Sequence, residues 1–395
     1  MKTNVYLASK PRYEILDGLR GVAALMVVLF HIFETYCPEG GQQLINHGYL
    51  AVDFFFALSG FVIGYAYDDR WGKMTTWGFF KRRLVRLHPM VIMGTVVGAC
   101  LFFFATDMFP KTLDVSASLF FLCLIMGFFM IPCPTSMDIR GWAETNSFNG
   151  PNWSLTYEYL ANILYAFILR HLPKWVLAIL IVIAGFFTLD LTLGWDVLGM
   201  LPAPQYTVIG GWSLTPDQIY IALTRLFYPF LTGLMISRML AGRISSENAS
   251  GSPIHLKGGF WWASLLLIVI FSVPCIGGYA GLANGIYQAI IILLVFPLIL
   301  LIGAGSRTTD TTSTRICNFL GDISYPLYIT HYPLIYIHLS FHANHPDVPL
   351  FVDVMMSAGV VIFAVIMAYA LLKVYDIPVR QWLVEKWLNN RQSNP

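Results

Sequence analysis

Apolar segments long enough to cross a bilayer recur along most of this 395-residue chain and constrain its fold more than any other feature. They run approximately over 19–37, 48–67, 88–106, 115–133, 153–170, 174–191, 218–237, 260–278, 284–303, 319–341 and 351–375. About 20 apolar residues at a helical rise of about 1.5 Å match a hydrocarbon core of about 30 Å. With 57% hydrophobic and 12% charged residues, the composition is not that of a soluble domain. Backbone inside a bilayer must satisfy its own hydrogen bonds, so the expected fold is all-α, a polytopic transmembrane helical bundle. The first segment is long enough to span, lacks a small-residue cleavage pattern and is followed at once by another, so it is not read as a signal peptide. Residues 1–395 are expected to form a single integral membrane domain with short polar tails.

Basic residues assign the orientation. Lys2, Lys10 and Arg12 precede the first segment, while Lys81, Arg82, Arg83 and Arg86 follow the second. Arg238, Arg243 and Lys257 follow the seventh, and Arg307 and Arg315 precede the tenth. Lys373, Arg380, Lys386 and Arg391 mark the C-terminal end. The positive-inside rule makes these groups, and both termini, cytoplasmic. Counting from either end then leaves segment 115–133 with both ends on one side. Either it re-enters, giving ten crossings plus a re-entrant or shallowly tilted helix, or one basic cluster breaks the rule. Connections 134–152 and 192–217 are external in this scheme and suit a structured lid or an acceptor mouth. Cys37, Cys100, Cys123, Cys133, Cys275 and Cys317 show no metal-ligand spacing and are read as packing residues, with a bridge among Cys37, Cys133 and Cys275 as the alternative.

Ionisable residues inside such segments need a polar cavity or a partner and so mark candidate functional positions. Arg20 and His31 share the first segment, DGLRGVAALMVVLFH. Eleven residues at about 100° each end roughly 20° past three turns, so both project from one face, about 16 Å apart along the axis. The face is expected to carry a cation near the entrance and an imidazole near mid-membrane. Asp17 offers the blander reading of Arg20, an interfacial side chain that snorkels and pairs. Glu34, three residues beyond His31, can orient the ring and raise its basicity, although a structural histidine bonded to a neighbouring helix is the competing reading. In YLAVDFFFALSGFVIGYAY, Asp53 is a counter-ion to a basic group or part of the histidine network, and Ser59-Gly60 allows close approach. FFKRRLVRLHP sets Arg83 and Arg86 one turn apart with Arg82 beside them; guanidinium forks suit phosphates, though the positive-inside rule alone produces such clusters. GPNWSLTYEYLAN carries Asn152, Trp153 and Ser154, with Glu158 about one turn deeper. GDISYPLYITHYPLIY aligns Asp322, Ser324, Tyr325, Tyr328 and His331, the last a second acid/base group or a packed histidine.

These motifs, Arg20-x10-His31, VDFFFALSGF, RRLVRLHP, NWSLTYE and SYPLYITHYPL, resemble in kind and order the acyltransferase-3 family of membrane O-acyltransferases over about residues 12–376. The resemblance implies transfer of an acyl group, usually acetyl, from cytoplasmic acyl-CoA to a hydroxyl of a sugar or similar acceptor, commonly across the membrane. It implies importance for Arg20, His31, Arg83, Arg86 and Ser324-Tyr325, and ten spans with a re-entrant segment after the third. Some members add a further span and a secreted hydrolase-like domain; neither is expected here. A bacterial inner membrane is the expected location.

The mechanism expected on this basis makes His31 the general base on the acceptor hydroxyl, oriented by Glu34 or Asp53. Arg82, Arg83 and Arg86, with Ser324 and Tyr325, would hold the donor, while Arg20 would guide the thioester arm or steady the oxyanion. Asn152, Trp153, Ser154, Glu158, Tyr328 and His331 would serve the acceptor or support the site. The expected partners are acyl-CoA as co-substrate, a glycan or other hydroxyl acceptor, and the lipid bilayer, with no permanently bound cofactor, metal or nucleic acid. A proton-coupled transporter of a small polar solute, and a non-catalytic sensor with structural ion pairs, are the competing classes.

Overall fold

A computed structural model describes residues 10–37, 42–202, 205–241 and 256–388. Lys2, Arg243 and Arg391, which entered the charge count, lie outside the described residues, as does most of connection 238–259. Helices dominate and no strand occurs among the described residues. In chain order they are α1 (Glu14–Glu34), α2 (Ala51–Tyr67), α3 (Thr76–Leu101), α4 (Ala117–Phe128), α5 (Asn152–Phe167), α6 (Lys174–Leu193) and α7 (Pro216–Leu240). There follow α8 (Gly259–Ser272), α9 (Leu282–Ile290), α10 (Phe296–Gly305), α11 (Thr311–Thr330), α12 (Tyr332–Asn344), α13 (Leu350–Leu371) and α14 (Ile377–Leu383). Single π-turns fuse α9 to α10 and α13 to α14.

Seven of these elements are long and apolar enough to cross a membrane: α1, α2, α3, α6, α7, α9–α10 and α13–α14. The other four of the eleven apolar segments form shorter or broken helices. The 12 residues of α4 rise only about 18 Å, short of a hydrocarbon core of about 30 Å. Segments 153–170 and 260–278 yield α5 and α8, of 16 and 14 residues. Segment 319–341 is not one span but two helices broken at His331. Pro333 causes the break: it has no N–H, and its ring displaces the carbonyl four residues back, that of Ile329. Asn149, in the 134–152 connection, donates to that carbonyl at 2.5 Å.

Helix starts follow capping chemistry. Thr75 accepts from Gly78 N at the head of α3, and Asp310 accepts from Ser313 N at the head of α11. Two helix pairs pack closely enough to require glycine. A Cβ on Gly60 of α2 would lie 2.0 Å from Phe230 O of α7, so the predicted close approach at Ser59-Gly60 is made by a helix. A Cβ on Gly21 of α1 would lie 2.4 Å from Leu320 O of α11, and one on Gly321 of α11 would lie 2.7 Å from Asp17 Cβ. Such small-residue contacts replace the hydrophobic drive that lipid cannot supply. As a result α1 and α11 run side by side in the same direction, and everything on one face of α1 meets α11.

Ion pairs gather where α1 begins and α2 ends: Lys10 with Asp69 at 2.8 Å, and Arg238 with Asp68 at 2.8 Å. This is called the basic end below, and the opposite one the far end. Among the described residues no disulfide forms; Cys37 Sγ faces Gln42 O and Cys275 Sγ faces His47, so the bridge considered among Cys37, Cys133 and Cys275 is absent.

Candidate active site

The contact of α1 with α11 places Arg20 first. Its Nε donates to Ser324 Oγ at 2.8 Å and its Nη2 to Gly321 O at 2.9 Å, while Asp17 lies 3.2 Å away. The expected Asp17 pair therefore coexists with a bidentate grip on α11. Arg20 lines a cavity of about 310 Å³ between α1, α2, α3, α5, α11 and the α13–α14 helix. Its mouth is at the basic end, where Arg12 and Asp322 pair at 3.0 Å with side chains 60% and 43% exposed.

Five arginines line this cavity: Arg12, Arg20, Arg83, Arg86 and Arg380. Four are paired with carboxylates: Arg20 with Asp17, Arg12 with Asp322, Arg83 with Glu158 at 2.8 Å and Arg380 with Asp376 at 2.7 Å. Glu158 also accepts from Ser59 Oγ at 3.0 Å. Arg86 is exposed to the cavity and makes no ion pair among the described residues. The spacing of Arg83 and Arg86 thus conceals a division of labour, one buried and paired, the other available. Arg82 differs from expectation: it donates to Gly78 O at 3.0 Å and does not line the cavity, because its position on α3 points it elsewhere. Tyr325 lines the wall and donates to Leu87 O of α3 at 2.7 Å.

Toward the far end the lining turns apolar, through Val52, Phe55, Phe56 and Leu155, and stops at Ser154 and Tyr328. Ser154 Oγ and Tyr328 Oη are hydrogen-bonded at 2.8 Å, and the edge of Phe55 meets the Tyr328 ring at 5.4 Å. Tyr328, Ser154 and Leu155 are 6%, 6% and 3% exposed, so this end is closed.

One turn beyond Tyr328 lies the pair of histidines. His31 is in the last turn of α1, which ends at Glu34, where the chain turns away. Its Nδ1 is 2.9 Å from Glu34 Oε2. A carboxylate only accepts, so Nδ1 carries the proton and Nε2 presents a lone pair. The ring stacks on His331 with centroids 5.8 Å apart at 26°, and meets the edge of Tyr332 at 4.7 Å. His331 sits at the break between α11 and α12. Its Nδ1 lies 3.0 and 2.9 Å from Leu327 O and Tyr328 O, which likewise fixes the proton on Nδ1, and its buried Nε2 has no hydrogen-bond partner.

Asp53 is not part of this histidine network. It is fully buried against Arg225 of α7 at 2.7 Å, and Arg225 also donates to Tyr49 O at 2.6 Å and Gly210 O at 3.2 Å. The counter-ion reading is the one realised, and Glu34 alone orients His31. Trp153 lies beneath the Arg225 guanidinium at 5.3 Å, and Asn152 faces Asn146 and Asn149 in a small polar chamber. Neither touches the histidines directly.

Sequence reasoning missed four contributors. Arg225 is an intramembrane cation, and the rule that flagged Arg20 applies to it equally. Asp376 and Arg380 reach the cavity because α13 continues through a π-turn into α14, which apolar length alone does not reveal. Glu144 is buried in the 134–152 connection and accepts from Tyr336 Oη at 2.7 Å, while the Arg140 guanidinium stacks over the Tyr336 ring at 3.7 Å. Burial raises the Glu144 carboxyl to about 7, against the lowering pull of Tyr336 and Arg140.

Fold and cavity together define a polytopic helical membrane protein that holds a cation-lined, dead-ended cavity against a stacked histidine pair. The acyltransferase-3 profile, that of an acyltransferase domain, matches residues 13–373, and the chain belongs to this family. Peptidoglycan O-acetyltransferase OatA of Listeria monocytogenes is 24% identical over 335 residues, 81% of this chain and 49% of its own length. Protein 2 in the picA locus of Rhizobium radiobacter is 33% identical over 165 residues, 39% of this chain and 81% of that protein. The chain thus spans about half the length of the peptidoglycan O-acetyltransferase it matches. No solved structure matches it significantly.

Proposed function

We propose that this acyltransferase moves an acyl group, acetyl in the first instance, from acyl-CoA to a hydroxyl of a carbohydrate or glycan acceptor. The basic end is assigned to the cytoplasm by the positive-inside rule, and a bacterial inner membrane is its proposed location. The observation that carries the reading is the polarity of the cavity: arginines from mouth to waist, apolar side chains at the closed end, and a histidine pair one turn beyond. That gradient matches a polyanionic nucleotide joined by a long arm to a small apolar acyl group.

In this mechanism Arg86, the cavity-lining arginine with no ion pair among the described residues, receives donor phosphate, with Arg12 and Arg380 adding positive potential. Arg20, held rigidly by Gly321 O and Ser324, is aimed at the arm or at the thioester oxygen as charge develops there. His31 lies one turn beyond the Ser154–Tyr328 wall and does not line the cavity, so the step requires that wall to part once donor is bound. The acceptor hydroxyl then loses its proton to His31 Nε2 as it attacks the thioester carbonyl, and CoA leaves as the thiolate. Glu34 stabilises the imidazolium that forms. An unactivated alcohol is a poor nucleophile near neutral pH, and a positioned base typically contributes about 10²- to 10⁴-fold.

The test is release of free CoA thiol by the purified protein given acetyl-CoA, with and without cell-wall glycan fragments. Acceptor-dependent thiol release supports the reading. Absence of thiol release with every glycan tried, alongside uptake of a solute driven by a pH gradient, favours a proton-coupled transporter instead.

A further inference from the structure

The closed end of the cavity has a shape that the proposed donor chemistry leaves unused. Six side chains form it: Val52, Phe55 and Phe56 from α2, Ser154 and Leu155 from α5, and Tyr328 from α11. Before any acceptor engages, Tyr328 is held in place. Its hydroxyl lies 2.8 Å from Ser154 Oγ and 3.3 Å from Pro151 O, and the edge of Phe55 braces its ring at 5.4 Å and 81°. The hydroxyl pair ties α5 to α11, so the wall is pinned from two helices and propped from a third. All its polar capacity is spent within the protein, which leaves an apolar face toward the cavity.

We propose that Phe55 and Tyr328 set the length of the acyl group this protein accepts, admitting acetyl and excluding longer linear chains. This rests on the reading of the cavity as an acyl-CoA site. The cationic waist fixes how deep the nucleotide and its arm can enter, and the wall fixes how much room is left beyond the thioester. An added methylene then has to displace a braced aromatic ring or withdraw the arginine contacts. Discrimination by one methylene in an apolar pocket is commonly about ten-fold or more. Phe55 is the adjustable element, because it props Tyr328 through packing alone, whereas Ser154 shares a hydrogen bond with it.

The experiment measures binding, so it needs no acceptor. Full-length protein in detergent is titrated calorimetrically with free CoA, acetyl-CoA, butyryl-CoA and hexanoyl-CoA, and each affinity is taken relative to that of free CoA for the same variant. Wild type is expected to bind hexanoyl-CoA about ten-fold or more weakly than acetyl-CoA. In Phe55→Ala the two should come within about three-fold of each other, with Phe55→Leu intermediate. Should Phe55→Ala fail to fold, Phe55→Leu decides the matter by whether the ratio narrows. Equal binding of all acyl lengths by wild type overturns the proposal and leaves the donor reading standing, as does an unchanged ratio in both variants. If no CoA species binds wild type, the donor reading fails and takes this proposal with it.

Discussion

His31 and His331, separated by 300 positions in sequence, stack with ring centroids 5.8 Å apart because α1 and α11 run side by side over Gly21 and Gly321. Both rings carry their proton on Nδ1, one toward a carboxylate and one toward two carbonyls. Only His31 has an ionic partner, Glu34, that becomes more favourable when the ring is protonated. Replacing His31 by Ala should therefore lower kcat by about 10²- to 10⁴-fold with donor KM nearly unchanged. Glu34→Gln should lose less, since the amide still accepts the Nδ1 proton but no longer offsets the imidazolium charge. Steady-state thiol release measures both, and equal losses in the two variants would assign Glu34 a larger role than orientation.

The contrast between Arg83 and Arg86 separates stability from binding. Arg83→Ala leaves the half-buried Glu158 carboxylate without its cation and with only Ser59 as a partner, which destabilises the fold. Arg86→Ala breaks no ion pair. The expected outcome is a lower melting temperature for the first variant and a raised donor KM at nearly native melting temperature for the second. Thermal unfolding in detergent and donor titration supply the two numbers.

The Asp53–Arg225 pair is expected to hold the far-end loops in place. Arg225 binds Asp53, Tyr49 O and Gly210 O together, and a lysine offers a point charge where a planar fork is needed. Arg225→Lys should stay well below wild type in stability and expose the segment 205–215 to protease. Wild-type resistance of that segment in Arg225→Lys would show that the fork is dispensable.

Glu144 gives a pH dependence of known sign. Its carboxyl is raised to about 7 by burial, so the folded loop binds a proton more tightly than the unfolded one. The stabilisation is complete below the ordinary carboxylate pKa and is lost as pH rises through about 7. Amide exchange in 134–150, normalised to the base-catalysed intrinsic rate, should speed up as pH rises from about 4.5 to about 7 and level off above that, and Glu144→Gln should flatten the rise. Exchange that slows over this interval would contradict the assignment.

The sequence made the helical class and the candidate charges visible because intramembrane charge is expensive and local composition records it. Arg20, His31, Glu34, Arg83 and Arg86 were all found this way, and the intervals Arg20–His31 and His31–Glu34 needed only helical geometry. Partner choice was not visible. Asp53 could serve His31 or a cation, and only the crossing of α2 with α7 at Gly60 brings Arg225 to it. The end of α1 at Glu34 is not legible either, because apolar residues continue past it. The break at His331 was announced by Pro333, yet an apolar run on either side read as a single span.

The most direct test of the account follows labelled acetyl rather than free thiol. Protein reconstituted in vesicles is given acetyl-CoA carrying a labelled acetyl group on the side of the basic end, with glycan acceptor on the other side. The account predicts label on acceptor hydroxyl oxygen for wild type, and no label for His31→Ala at undiminished acetyl-CoA binding. Labelling of the acceptor by His31→Ala at the wild-type rate would contradict it.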